Sequence, residues 1–338
     1  MLSEKNINIK KFPSVIGIET TAFCNAVCLF CPLHGKDGDL RRPKGVMTKD
    51  LFEKIVAELF AHRDEVDTIF LNVCGEPFLD PHFSFRLETL HKYKLASKLD
   101  IQTNGQFLQE SFCRDIINNS VKRITLGFDG ASKEIYEEHR KNCNYEKVLS
   151  NIDTFIKMRA ERNSKIQLII KYVLTNKNSA EVEQAYQMWA KILNPWLDRF
   201  VICPSENWSN SRLNTDTQIK KKTVNKVLSY KFCSQLVRSI SIFHDGKVPA
   251  CCWDYNLIIA KGGMGDVNTN TMEEIWENEK FEKLRMLHRQ KDFSKLPHCK
   301  ICSNIIRFPD AFQVSGIRWK WRLFDPLSRH FYSFLRKT

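Results

Sequence analysis

Short β-branched and apolar runs alternate along residues 14–203 with longer stretches whose apolar positions recur every three or four places. The short runs, at 14–20, 68–73, 98–103, 123–128, 165–174 and 199–203, predict six strands. The longer stretches, at 49–62, 81–91, 109–118, 145–160 and 181–192, predict amphipathic helices between them. A strand that follows a helix-length connection pairs in parallel with its predecessor, so the pattern implies an α/β fold with βα crossovers. Catalytic loops are then expected at the C-terminal ends of the strands.

The periodicity loosens after Pro204. Residues 207–216 are rich in Ser and Asn and read as a loop, and a cysteine-rich second region runs on to Cys302. The expected organisation is 1–210 as the α/β unit, 211–310 as a smaller domain and 311–338 as a tail. No internal repeat and no low-complexity segment interrupts it.

Composition narrows the class. Of 338 residues, 43% are hydrophobic and 27% charged, ordinary for a globular protein with a buried core. No apolar run is long enough to cross a membrane, and residues 1–11 lack the apolar stretch of a secretory signal. A reducing cytoplasm is therefore expected. There, twelve cysteines point to metal or redox chemistry rather than disulfides. The net charge of +13 suits an anionic partner, whether substrate, nucleic acid or membrane face, and equally a solvated lysine-rich surface.

Cys24, Cys28 and Cys31 follow the first strand at CxxxCxxC spacing. Three thiolates in one tight loop can hold three irons of a [4Fe–4S] cubane and leave the fourth open. Structural zinc prefers four ligands, usually in CxxC pairs. With the aromatic Phe30 before the last cysteine, this segment resembles the radical S-adenosylmethionine (SAM) superfamily. The resemblance implies that the open iron chelates SAM. One electron then cleaves the sulfonium to a 5′-deoxyadenosyl radical that takes hydrogen from substrate. It also places Phe30 near the adenine.

Further segments at successive strand ends resemble the same family. Cys74-Gly75-Glu76-Pro77 looks like its Gly-Gly-Glu-Pro motif, with Cys74 in place of the first glycine. By resemblance, Glu76 and the backbone about Gly75 and Pro77 would hold the SAM amino group. Thr103-Asn104-Gly105 resembles the segment under the SAM pocket. Gly127-Phe128-Asp129-Gly130 resembles the Ser-x-Asp-Gly segment near the ribose and methionine, with Gly127 in place of serine. Arg140 stands where related enzymes carry an arginine near the SAM carboxylate. Singly, such residues also close turns; in this order they imply a partial (β/α)6 TIM barrel over roughly the first 210 residues.

In the second region, Cys233, Cys251 and the pair Cys299-x-x-Cys302 offer four thiolates, with Cys252 as an alternative to Cys251. Residues 242–251 read as a hairpin turning at Asp245-Gly246 and delivering Cys251. Spacing alone fits either a fully ligated [4Fe–4S] cluster or an all-cysteine zinc site. The G-x4-C element, Gly265-Asp266-Val267, Glu274-Ile275-Trp276 and the CxxC resemble the C-terminal extension called SPASM, in its shortened "twitch" form with one auxiliary cluster. The Cys233–Cys251 separation is similar to that of the radical SAM aminocyclitol dehydrogenases. Cys113 reads as core packing. Cys74 and Cys203 end strands at the catalytic face as buried thiols or hydrogen-atom donors, and Cys143 is similar or loop-exposed.

Residues 315–338 interleave Arg318, Lys320, Arg322, Arg329, Arg336 and Lys337 with Trp319, Trp321 and four other aromatics. That suits a peripheral membrane contact, or a terminal helix docked on the barrel. The resulting expectation is an enzyme that oxidises or epimerises a sugar, aminocyclitol or sugar conjugate. The auxiliary cluster would accept an electron, and a reductant such as flavodoxin or ferredoxin would supply the first cluster. A peptide maturase is the alternative, disfavoured because no peptide-recognition domain precedes the barrel. A non-catalytic metal protein binding nucleic acid is more remote, because it would have no need of the SAM segments.

Overall fold

The computed structural model describes residues 9–205, 229–230, 232–300, 302 and 304–307. The basic, aromatic tail and the serine-rich linker lie outside the described residues.

In chain order the strands are β1 (Val15–Ile18), β2 (Val27–Cys28), β3 (Thr68–Phe70), β4 (Leu99–Thr103), β5 (Arg123–Gly127), β6 (Arg140–Lys141), β7 (Gln167–Leu174), β8 (Arg199–Pro204), β9 (Ser229–Tyr230), β10 (Ser239–Ile242), β11 (Lys247–Val248), β12 (Gly265–Asp266) and β13 (Ile306–Arg307). The helices are α1 (Lys49–Ala61), α2 (Phe83–Lys92), α3 (Glu110–Asn118), α4 (Lys133–His139), α5 (Tyr145–Glu161), α6 (Val182–Ile192), α7 (Gln235–Arg238), α8 (Met272–Trp276), α9 (Glu279–Gln290) and α10 (Pro297–Lys300).

Seven strands form one parallel sheet in the order β10-β1-β3-β4-β5-β7-β8. The six expected strands are all present and adjacent in sequence order, as a partial (β/α)6 barrel requires. Ile124 and Leu126 of β5, and Leu168 and Ile170 of β7, are fully buried on the outer face. Their alternates Arg123, Thr125, Gln167, Ile169 and Lys171 remain half-exposed on the other face. This one-sided burial produces the period-two pattern in strands that are parallel. Thr48, Ser132 and Asn144 cap α1, α4 and α5 by accepting a backbone N–H, which fixes where each helix starts.

The C-terminal region extends one expectation. The chain does turn at residues 243–246, where Gly246 has φ +92° and donates its N–H to the Phe243 carbonyl at 2.9 Å. Phe243 N–H also donates to the Lys247 carbonyl at 2.9 Å, so the expected turn is present, but the strands either side of it find other partners. β10 adds to the barrel sheet in parallel with β1, and β11 pairs instead with β12. All four residues of β10 are buried, so it lacks the alternation that marks a half-buried strand. The region also grips α1. Lys54 Nζ donates to the carbonyls of Val267 and Asn268, and the Glu58 carboxylate accepts the Met272 and Glu273 N–H groups at the start of α8. Among the described residues, no helix is long and apolar enough to cross a membrane.

Candidate active site

The first cysteine loop leaves β1 at its C-terminal end. Its middle is pinned by the two-residue pairing of β2 with β6, which sets Cys28 opposite Arg140. Its far side is wound tightly. Cys31 N–H donates to the Cys28 carbonyl at 3.1 Å, Gly35 N–H to the Cys31 carbonyl at 3.1 Å, and a Cβ on Gly35 would strike both carbonyls. Cys28 is buried, and Cys24 and Cys31 are half-buried. Burial pushes the Cys24 thiol up to about 12 and Cys28 well above its ordinary value, and the neighbouring thiolates add repulsion. Thiols so placed ionise only when a cation compensates them. Among the described residues, no three His, Cys, Asp or Glu side chains converge on a single ion.

The expected SAM-site residues surround this loop. Glu76 is buried and accepts from Thr103 Oγ1 at 2.7 Å, Asn104 N–H at 2.9 Å and Phe78 N–H at 3.4 Å. Burial raises its pKa to about 7 despite those donors. Its own N–H donates to the Phe23 carbonyl at 2.8 Å, and a Cβ on Gly75 would fall on the Thr21 carbonyl, so only glycine lets the two loops meet there. Pro77 opens a single 3-10 turn that Glu76 caps. Asp129 is fully buried; one oxygen receives Arg140 Nε at 2.6 Å and the other the Val173 N–H at 2.6 Å. Arg140 Nη1 lies 3.8 Å from Cys28 Sγ, and its guanidinium lies 5.4 Å from the Phe30 ring centroid. Phe30, Cys28, Arg140 and Asp129 thus form one contiguous set, and Glu76, Thr103 and Asn104 form a second.

Asn25, which sequence reasoning missed, and Cys143, expected either as a buried thiol or as loop-exposed, connect to this site. Asn104 Nδ2 donates to Asn25 Oδ1 at 2.9 Å, and Asn25 Nδ2 lies 3.8 Å from Cys143 Sγ. Cys143 is buried beside Arg140 and within the electrostatic reach of Cys24 and Cys28. The only sequence signal for Asn25 was its place directly after Cys24. Asn178 was also missed; its amide donates to the Asp129 carbonyl at 2.9 Å and steadies the far side of the ion pair. Cys113 packs in the core on α3.

The second set of thiols is gathered too. Cys233, Cys251, Cys299 and Cys302 line one cavity, together with Trp253 and His288. Cys302 N–H donates to the Cys299 carbonyl at 3.0 Å, which holds the CxxC turn. Asp254 orders the loop after Cys251 by accepting the N–H groups of Ala250, Ile258 and Ile259. Cys252 does not line the cavity; its Sγ lies 3.9 Å from Gln235 Oε1. Burial drives Cys251 and Cys299 upward, with Cys233 adding repulsion to both. Four cysteines lining one cavity are the ligand number of a fully ligated cubane. His288 on α9 is 4% exposed, and burial lowers its pKa to about 4.

Between the two cysteine sets lies a buried polar contact. Glu19, just past β1, pairs with Arg42 and with His244 Nδ1 at 3.0 Å, while Cys74 packs with Leu33, Phe243 and Tyr255. His34 Nε2 lies 2.8 Å from the Cys74 carbonyl, and the packing of Cys74 with Phe243 and Tyr255 sets the residue in place of the motif's first glycine against the C-terminal region.

The pattern that defines the radical SAM superfamily matches residues 18–187, half of the chain, and that of the SPASM iron–sulfur cluster-binding domain matches residues 233–303. Among curated proteins, an S-adenosyl-L-methionine-dependent 2-deoxy-scyllo-inosamine dehydrogenase of Niallia circulans is 21% identical over 87% of this chain and 94% of its own. A GTP 3′,8-cyclase of Campylobacter jejuni is 24% identical over 65% of this chain and spans only 64% of its own length. Among solved structures, BtrN in complex with AdoMet and 2-DOIA superposes with a TM-score of 0.57 at 19% identity, covering 88% of this chain and 95% of that one. SuiB of Streptococcus suis, bound to its precursor peptide SuiA, gives 0.62 at 13% identity, covering 83% and 68%.

Proposed function

The chain belongs to the radical SAM superfamily and carries a SPASM iron–sulfur domain, and from that premise we propose that it oxidises or epimerises a carbinol of a sugar, aminocyclitol or sugar conjugate. It is an enzyme whose cofactors are SAM and [4Fe–4S] clusters. Cys24, Cys28 and Cys31 are proposed to hold the SAM-binding cluster, and Cys233, Cys251, Cys299 and Cys302 the auxiliary one. The observation that carries the oxidative reading is that those last four thiols line one cavity.

When bound, the clusters supply one electron to cleave SAM to a 5′-deoxyadenosyl radical and accept one from the substrate radical, so the carbinol loses a hydrogen atom, then an electron and a proton. The protein supplies position and exclusion of water. Glu76 offers a buried carboxylate to the SAM ammonium, oriented by Thr103, Asn104 and Phe78. Arg140 offers its guanidinium to the SAM carboxylate while Asp129 fixes its angle. Phe30 offers a ring face at the adenine side. A cytoplasmic location, and flavodoxin or ferredoxin as reductant, belong to the same proposal, as does an anionic substrate where that substrate is a charged sugar conjugate; membrane contact through the tail is a separate part of it.

The likeness to an aminocyclitol dehydrogenase over 87% of this chain supports the substrate class. The test is turnover of 2-deoxy-scyllo-inosamine carrying deuterium at its carbinol carbons. Deuterium in 5′-deoxyadenosine is the expected result; none, with SAM cleavage intact, removes this substrate. The likeness in fold to SuiB supports the second reading, a peptide-modifying enzyme.

A further inference from the structure

His288 lines the cavity that the four C-terminal thiols share, yet neither of its ring nitrogens has a hydrogen-bond partner among the described residues. It is 4% exposed. A buried imidazole with both nitrogens unmet carries a desolvation cost that folded proteins rarely leave uncompensated. Its neighbours do not relieve it. Phe232 and Phe293 meet the ring edge-on, with centroids at 6.0 and 5.1 Å, and fix its plane without offering a lone pair. Besides the thiols, the polar residues lining the cavity are Gln235 and Asn304, and neither hydrogen-bonds a ring nitrogen, which leaves the thiols and whatever they bind for the ring to meet. Sulfur is an acceptor, and a neutral imidazole has one N–H to give.

We propose that His288 donates a ring N–H to a sulfur of the auxiliary cluster and thereby raises its reduction potential. Hydrogen bonds to cluster sulfurs stabilise the more negative, reduced state, and are among the factors that set such potentials. His288 is then a positioning residue: it makes the cluster a better acceptor for the substrate's electron without touching substrate. The inference rests on the auxiliary-cluster reading above.

Three measurements test it. Whole iron content comes first: about eight irons per chain are expected for two cubanes, and about four would overturn the cluster reading and this inference together. EPR-monitored redox titration follows, on the Cys24, Cys28 and Cys31→Ala triple variant so that only the auxiliary signal remains. His288→Phe should move its midpoint to more negative potential with iron unchanged, and His288→Gln, which keeps an N–H donor, should recover most of the shift. An unchanged midpoint in His288→Phe, or loss of auxiliary iron in both variants, overturns the proposal while leaving the cluster reading intact. The third needs no variant at position 288 to keep its cluster. With 15N-histidine in the otherwise native triple variant, pulsed EPR of the reduced cluster should show a weak nitrogen coupling, and a coupling as strong as a direct ligand's, or none, overturns it.

Discussion

A Cβ at position 127 would fall on the Arg140 guanidinium, so the glycine that stands in place of the family's serine makes room for the arginine. The arginine is buried, paired with Asp129 at 2.6 Å and close to Cys28, so it has little space into which to retreat. Gly127→Ala should leave the fold in place but displace the guanidinium, at about 1–3 kcal/mol of the kind overpacking costs. SAM affinity of the cluster-loaded enzyme, measured by equilibrium dialysis, should fall roughly tenfold or more, since 1.4 kcal/mol is a factor of ten. Unchanged affinity would mean that Arg140 does not meet SAM. Glu76 gives a pH prediction. Burial is the main cause that raises its carboxyl to about 7, so the free site favours the protonated form below that pH and the carboxylate above it. In the folded protein without SAM, this raised value lowers stability as pH rises from the unfolded carboxyl range through about 7. A bound ammonium reverses the sign by pairing with the carboxylate. The rise in melting temperature caused by SAM should therefore be larger at pH 8 than at pH 6, and Glu76→Gln should flatten the difference. The departures at Cys74 and Gly127 were visible in the sequence, but their reasons were not. Each depends on a residue from another loop, Arg140 for Gly127 and the Glu19–Arg42 pair for Cys74.

At the scale of elements, the strand and helix pattern of the barrel was legible because each strand buries one face and each helix one stripe. β10 was not, because four residues buried on both sides carry no period, and its partner β1 lies more than two hundred positions away. The same distance hid the junction of α1 with α8. Glu58 accepts two N–H groups at the start of α8, the role an N-cap side chain plays within a helix, here supplied from another element. Glu58→Ala should lower stability by about 1–2 kcal/mol, the range for a lost cap. A denaturant midpoint that does not move would show that α8 holds its place without this contact. Thr271 and Glu274 form a capping box on the same helix, so the loss should be partial rather than a melting of α8.

For the whole molecule, the two cysteine groups belong to one body of structure. β10 and the contacts of α1 draw the C-terminal region onto the barrel, and the Glu19–His244 contact joins the end of β1 to the turn after β10. The sequence marked Cys24, Cys28 and Cys31, and the pair Cys299 and Cys302, because CxxxCxxC and CxxC keep their members close along the chain, whereas Cys233 and Cys251 were joined to that pair only by the SPASM resemblance. It left Cys251 and Cys252 open, since adjacent residues differ only in direction; in the fold the first lines the cavity and the second does not. His288 was invisible because a lone histidine on an amphipathic helix has no sequence mark of its function. The central claim is that one chain holds two clusters with separate roles, and it is met most directly by the Cys299→Ala, Cys302→Ala double variant. After anaerobic reconstitution, iron per chain and 5′-deoxyadenosine formed from SAM are measured on the same sample. The account predicts a fall from about eight irons to about four, with slow SAM cleavage retained and no oxidised product. A variant that keeps all its iron, or that loses SAM cleavage while its first cluster and barrel remain intact, would contradict it.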